Sequence, residues 1–372
     1  MKDQAKVGIA QISSVLMNKE ETIEKACRYI EEAGRKKIDI LVFPETYIPC
    51  YPYWRGISPV SKWSDLMVEY HNNSLLIPGK GTDILCESVK DANLICVMGC
   101  SEVANLTGSE TLYNTLLFID RNGKILGKHR KLMPTHAERM IWGNGDGRDI
   151  RVFDTEVGCL GGLICYENHM TLSKYALAAK GEEIHCAVWP GWWVMERHPG
   201  NKKKFRSGMD QHRCDIEHAI REYAFETQTF VISASGLAIE GEIPDEWNFE
   251  QASGGSFIVN PAGEIIKGPI FEKECIICAD INFRDRLLTK AYFDALGHYS
   301  RWDILNLNIS DTGRGYAPIV GECELPSLNM EISDKIIDDL SKKYEIDRKK
   351  VEDILGEVVD VLLNAEDVKT KL

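Results

Sequence analysis

No run in the sequence approaches the ~20 uninterrupted apolar residues of a membrane-spanning helix, so no such helix is expected. Basic excess is missing too. The 44 Lys and Arg face 57 Asp and Glu, giving a formal net charge of -13. Nucleic acid and anionic membranes both need a basic face, so neither is expected as a partner. The start of the chain, "MKDQAKVGIAQI", lacks the apolar core of a signal peptide, and a cytoplasmic protein is the expectation. No internal repeat or low-complexity segment appears. The 12 cysteines do not form a loop-rich framework; they are scattered through apolar segments and read as thiols in a reducing compartment. His185, His212 and His218 have no familiar zinc spacing to neighbouring cysteines. The one C-x-x-C, Cys275 to Cys278, lies in a strand-like run. An offset of three puts those thiols on opposite faces, so no shared metal is expected.

What is present is an alternation of short apolar runs with helical patterns. "KVGIAQI" alternates like a half-buried strand. Residues 18–37 carry Ile23, Cys27 and Ile30 at helical spacing, with Asn18 and Glu21 as a cap signal. "IDILVFPE" is a continuous apolar run, the mark of a strand buried on both faces. Further strands are expected at 93–100, 113–120, 124–130, 159–165, 184–189, 229–235, 254–259 and 274–281. "RNGK" at 121–124 and "NPAGE" at 260–264 read as hairpin turns. Helices are expected at 170–180, closed by Gly181, and at 209–227. Two sheets covered by helices, an α-β-β-α sandwich of the α/β class, satisfy this pattern. Near residue 324 the composition shifts. Residues 331–372 hold 12 acidic and 8 basic residues and read as helical. The expected domains are therefore 1–323 and a helical extension at 324–372.

Three strand ends carry chemistry. In "GGLICYENHM" the strand stops at Cys165. Cys165 is either a core thiol or a displayed nucleophile. Between a strand and a helix N-terminus, it would feel the positive end of the helix dipole, which favours thiolate. Gly161 and Gly162 permit close backbone packing beside it. Glu45 closes the apolar strand of "ILVFPET". It is either a solvent-facing carboxylate or, with a raised pKa, a general acid or base. Lys131, beside His129 and Arg130, reads alone as a surface lysine. Taken together, Glu, Lys and Cys form a nucleophilic set: a thiolate attacks, a carboxylate moves protons and an ammonium stabilises developing charge.

On these residues the sequence resembles the nitrilase superfamily of carbon-nitrogen hydrolases. The resemblance covers roughly residues 5–310. It places a Glu-Lys-Cys triad on Glu45 in "FPET", Lys131 in "HRKLMPT" and Cys165 in "CYEN", with Glu138 in "THAER" as a supporting carboxylate. "FPETYIPCYPYW" (43–54), "TLYNTLLFID" (111–120) and "GHYSRWD" (297–303) are similar to the true nitrilase branch. The last of these is untypical of the amidases. Tyr166 stands where the branch usually has Trp, Trp302 where it has Pro and Cys50 where it has Gly. These departures bear on substrate preference more than on reaction type.

The resemblance implies an α-β-β-α fold that pairs into α-β-β-α-α-β-β-α dimers. It also implies larger homo-oligomers or helical filaments built through the C-terminal region. It further implies hydrolysis of an organic nitrile to the carboxylic acid and ammonia, through a thioimidate and a thioester on Cys165, with no metal or organic cofactor. The alternatives are a cyanide hydratase or dihydratase, an aliphatic amidase, or an inactive scaffold or filament subunit. The aromatic residues Tyr51, Trp54, Tyr166, Trp189 and Trp192 are the candidates for an apolar substrate pocket. In the tail, Val351, Ile354, Leu355, Val358, Val359, Leu362 and Leu363 recur at three- and four-residue steps behind an N-cap at Asp347. That stripe either packs in a helical hairpin with residues 333–344 or packs on another subunit.

Overall fold

The computed structural model describes residues 3–57, 59–105, 108–191, 212–238, 241–247, 252–310 and a few positions between 341 and 351. The chain divides into two compact units, Met1–Arg314 and Gly315–Leu372. In the second unit Val351 is buried, but most of the expected tail helices lie outside the described residues, as does Trp192.

In chain order the strands are β1 (Gln4–Gln11), β2 (Ile40–Val42), β3 (Leu75–Leu76), β4 (Ile95–Val103), β5 (Leu112–Ile119), β6 (Ile125–Arg130), β7 (Phe153–Asp154), β8 (Cys159–Ile164), β9 (Ile184–Trp189), β10 (Phe230–Ser235), β11 (Gly254–Val259), β12 (Ile265–Phe271) and β13 (Cys275–Asn282). The helices are α1 (Lys19–Arg35), α2 (Val60–Asn73), α3 (Lys80–Ala92), α4 (Thr171–Ala179), α5 (His212–Thr227) and α6 (Arg284–Lys290). One sheet runs β13-β1-β2-β4-β5-β6, with β3 added to β4; the other runs β12-β11-β10-β9-β8-β7.

The alternation of side chains along each strand builds the layers. Ile40 and Val42, Ile95 and Val97, and Leu116 and Phe118 point into the core shared with the second sheet. Their neighbours Leu41, Cys96, Met98, Leu117 and Ile119 point the other way, onto Ile23, Ala26 and Ile30 of α1 and Leu85 and Val89 of α3. On the far side, Ala176 and Leu177 of α4 and Ile220, Tyr223 and Ala224 of α5 cover the second sheet. The result is the expected α-β-β-α sandwich.

Local signals act as the sequence implies. Asn18 caps α1, its Oδ1 accepting from the Glu21 N–H at 3.1 Å. Gly123 (φ 74°) turns the β5–β6 hairpin and Gly263 (φ 78°) turns β11–β12. Cys275 packs toward the inter-sheet core and Cys278 toward the α1 side, on opposite faces of β13 as the offset of three requires. Six of the elements, α2, α3, α6, β3, β7 and β12, had no counterpart in the periodicity. In α2 only Tyr70 is buried, and α3 buries just Thr82, Leu85 and Val89. β12 is largely exposed along its length, so it shows no apolar alternation.

Candidate active site

The loop after β2 carries Glu45 into the interior. It runs so close to β4 that a Cβ on Gly99 would lie 1.9 Å from the Pro44 carbonyl oxygen. Only glycine tolerates that approach. Lys131 follows β6 directly, its N–H donating to the Asn114 carbonyl of β5 at 2.8 Å. Glu138 sits in a 3-10 turn at His136–Met140. Cys165 follows β8. Gly161 faces the Glu182 carboxylate, where a Cβ would meet Oε1 at 2.1 Å, so the close packing expected at this strand is present.

These four residues converge. Lys131 is 1% exposed, where a surface lysine was the reading of the residue alone. Its Nζ donates to Glu45 Oε1 at 3.0 Å and to Glu138 Oε2 at 2.7 Å. Glu138 is fully engaged: Tyr51 Oη donates to Oε1 at 2.7 Å, and the Thr135 N–H to Oε2 at 2.7 Å. Asn114 Nδ2 donates to Glu45 Oε1 at 2.6 Å. The other oxygen of Glu45, Oε2, is buried and has no partner among the described residues. Glu45 therefore offers one free oxygen in a dry site, as a proton carrier requires.

The electrostatics divide the roles. Burial pushes the Glu45 carboxyl up to about 7; Lys131 opposes this, Glu138 adds to it, and the hydrogen bonds from Lys131 and Asn114 oppose it. Burial disfavours the Lys131 ammonium, but Glu45, a Cys165 thiolate and Glu138 outweigh it, and the lysine stays charged. Burial also drives the Cys165 thiol well above its ordinary range. Lys131 pulls it down, Glu45 and Glu138 push it up, and the Tyr166 N–H pulls it down. Burial thus opposes the thiolate that the sequence reading favoured. The turn that follows Cys165 is a 3-10 turn, Cys165–His169, and α4 begins only at Thr171. The helix N-terminus expected directly after the cysteine therefore comes six residues later in the chain.

Three of the nine left-handed non-glycine residues among the described residues lie here. Cys165 has φ 55°, Thr46 beside Glu45 has φ 42° and His136 near Glu138 has φ 50°. Each left-handed non-glycine residue costs about 1–3 kcal/mol and persists only where the surroundings over-determine it. At Cys165 a relay of buried groups does so. Asn168 Nδ2 donates to the Cys165 carbonyl at 2.8 Å, and its Oδ1 lies 2.9 Å from His185 Nε2. His185 Nδ1 meets Glu182 Oε1 at 2.7 Å, and Tyr223 donates to Glu182 Oε2 at 2.6 Å.

A narrow pocket of about 20 Å³ opens on Cys165, walled by Tyr166, Trp189, Asp215 and Ile216. Tyr166 Oη donates to Asp215 Oδ2 at 3.0 Å across its mouth. Tyr166 and Trp189 thus both border the cavity at Cys165. Trp54 does not. It is fully buried and packs edge-on against Trp63 and Tyr70, at 6.0 and 5.7 Å between ring centroids, in a separate aromatic core. Tyr51 touches that core and gives its hydroxyl to Glu138, so it orders a carboxylate. The "GHYSRWD" segment packs on α4, with Trp302 against Tyr175 at 5.6 Å.

Asn114, Glu167, His129 and the Asn168 relay escaped sequence reasoning. Asn114 sits inside the quoted run "TLYNTLLFID", where a lone amide in an apolar strand was the available signal.

The model of the carbon-nitrogen hydrolase family matches residues 6–290. The chain belongs to that family. It is 36% identical over 313 residues to "Nitrilase 2" of an unknown prokaryotic organism, covering 83% of this chain and 93% of that one. It is 35% identical over 330 residues to an aliphatic nitrilase of Rhodococcus rhodochrous, covering 85% and 81%. Among solved structures, a carbon-nitrogen hydrolase from Helicobacter pylori G27 superposes with a TM-score of 0.65 at 20% identity, covering 81% of this chain and 97% of that one. At that identity the superposition speaks for the fold.

Proposed function

We propose that the protein is a nitrilase, converting an organic nitrile and two waters to a carboxylic acid and ammonia. Its relatives named above carry that activity in their names. The observation that supports it in the site is a buried ammonium held between two carboxylates, one of which keeps a free oxygen, beside a buried and strained cysteine.

The chemistry follows from the protonation states. With its pKa near 7, Glu45 is substantially ionised at neutral pH and takes the Cys165 proton on Oε2. The thiolate adds to the nitrile carbon, and the proton passes to nitrogen, giving a thioimidate. Water, deprotonated by Glu45, adds to that carbon. Lys131, charged throughout, donates to the anionic tetrahedral species. Glu45 returns its proton to the nitrogen, the new hydroxyl gives its own proton to the same nitrogen, ammonia leaves and a thioester remains. A second water, activated in the same way, releases the acid and restores the thiol. Loss of the thiol from the first tetrahedral species gives an amide instead. Glu138, held by Tyr51 and Thr135, keeps Lys131 in place.

The test is consumption of a panel of aliphatic and arylaliphatic nitriles, cyanide and amides, with ammonia, acid and amide products all quantified and Cys165→Ala as the blank. Turnover of nitriles above cyanide and amides supports the reading. Turnover of amides alone makes the protein an amidase, and turnover of cyanide alone makes it a cyanide hydratase or dihydratase.

The assignment of residues 1–323 to the hydrolase and 324–372 to an assembly segment belongs to the same proposal. Leu287, Leu288, Tyr292 and Leu305 are exposed large apolar side chains of the first unit and favour association. Truncation after residue 326 should leave the hydrolase folded and reduce the mass of the assembly in light scattering. An unchanged mass per particle, corrected for the deleted residues, refutes the assembly role.

A further inference from the structure

We propose that Glu167 is a positioning residue that sets the distance between Cys165 and Lys131 by bridging the ends of the strands that carry them. The inference rests on the reading above for the roles of those two side chains. β8, which delivers Cys165, belongs to one sheet, and β6, which delivers Lys131, is the edge of the other. No ladder hydrogen bond can join strands in different sheets, so the separation of the two tips needs another device.

One carboxylate supplies it. Glu167 Oε2 accepts the N–H of Ile164, the residue before Cys165, at 2.8 Å. Glu167 Oε1 accepts the N–H of Leu132, the residue after Lys131, at 2.6 Å. The two oxygens of a carboxylate are held rigidly, so the two strand tips are spaced by a fixed template.

His129, two residues before Lys131, buttresses it. Its Nε2 lies 2.9 Å from Glu167 Oε2 and its Nδ1 lies 2.8 Å from the Asp149 carbonyl oxygen. Both partners accept, so both ring nitrogens carry protons and the imidazole is a cation. Glu167 and His129 are 1% and 2% exposed. Burial acts against both charges. Their mutual attraction and the backbone N–H groups outweigh it, leaving the Glu167 carboxyl below its ordinary pKa and the His129 imidazole above its own. The pair is therefore a closed, ionised unit, and it leaves no oxygen or nitrogen free for substrate. It acts through the residues it spaces.

Glu167→Gln tests this. An amide has one accepting oxygen and an NH2, so it cannot serve donors on both sides. Misplacement of reacting groups by ~1 Å typically costs about 100-fold in rate. We expect kcat to fall about 10- to 100-fold with KM within about 3-fold. Glu167→Asp keeps the charge but is one methylene short of spanning both tips, and it should not restore the rate. The second readout is the rate at which iodoacetamide labels the Cys165 peptide, followed by mass spectrometry on the intact protein. Lys131 assists this labelling because its charge favours the thiolate. Glu167→Gln should slow labelling in the wild-type background and have little further effect in the Lys131→Met background. Additive effects of the two changes, a wild-type kcat, or full rescue by Asp would overturn the proposal. If no nitrile yields ammonia but labelling shows the coupling, the nitrilase reading fails and the template stands. Should Glu167→Gln not fold by circular dichroism, His129→Gln is used for the same labelling cycle: slowing that depends on Lys131 supports the proposal, and unchanged labelling overturns it.

Discussion

Asn114→Ala should shift the pH dependence of catalysis upward. In the proposed mechanism Glu45 is the base of the free enzyme, so kcat/KM should fall on the acid side with an apparent pKa near 7, where burial holds its carboxyl. A carboxyl in its ordinary range would place that limb near 4.5. One decade is lost per pH unit below the limb, so at pH 5 the rate constant should be down about 100-fold. Asn114 Nδ2 donates to the charged form at 2.6 Å and so lowers this pKa. A hydrogen bond to a charged group contributes about 1.5–3 kcal/mol. At 1.36 kcal/mol per unit, its loss would raise the limb by about 1–2 units. Repacking and water entry at the site reduce that figure, and about one unit upward is expected. The limb belongs to the coupled Glu45, Glu138, Lys131 and Cys165 set. The direction nevertheless follows from Asn114 alone. The assay is initial ammonia release at low nitrile concentration from pH 5 to 9, with both proteins shown folded across that range. A wild-type limb near 4.5, or a limb in Asn114→Ala that stays put or moves down, refutes Glu45 as a buried base.

Cys165→Ala should abolish turnover and keep the fold, and a slow substrate should leave its adduct on the Cys165 peptide; an adduct on Cys159 or Cys186 excludes Cys165 as the nucleophile. Lys131→Met should lower kcat by about 10²–10³, the usual effect of removing one anion-stabilising donor. Lys131→Arg should not restore it, because a planar fork cannot meet both Glu45 and Glu138 in the same space. More than a tenth of wild-type activity in Lys131→Met would count against its assigned role. Tyr166→Trp removes the bond to Asp215 at the pocket mouth and enlarges the wall; the acid-to-amide ratio or the preferred chain length should change, and product analysis over a nitrile series that finds neither would separate Tyr166 from specificity.

The periodicities of β1, α1, β4 and β5, the cap at Asn18 and the hairpin turns at Gly123 and Gly263 were legible because each depends on neighbours within a few residues. The sandwich followed from those elements, since two apolar sheets with amphipathic helices have few ways to bury both faces. Glu45, Lys131, Glu138 and Cys165 were legible by resemblance, through the motifs around them. Nothing local marked Lys131 as buried. It lies 86 residues from Glu45 in the chain, and Asn114 lies 69 from Glu45. The burial of Cys165 was hidden for the same reason: a dipole argument uses adjacent residues, while burial in a closed site is a property of the whole fold. Trp54 and Tyr166 look alike as aromatics next to motifs, yet one fills a core and the other walls a pocket. Sequence alone determined most of the chain's elements and their order, because covalent neighbours and periodicity encode them, and through resemblance it offered four candidate site residues. Which of those side chains are dry, charged and within hydrogen-bond reach was decided only by the tertiary structure, because desolvation and Coulomb interaction depend on distance in space.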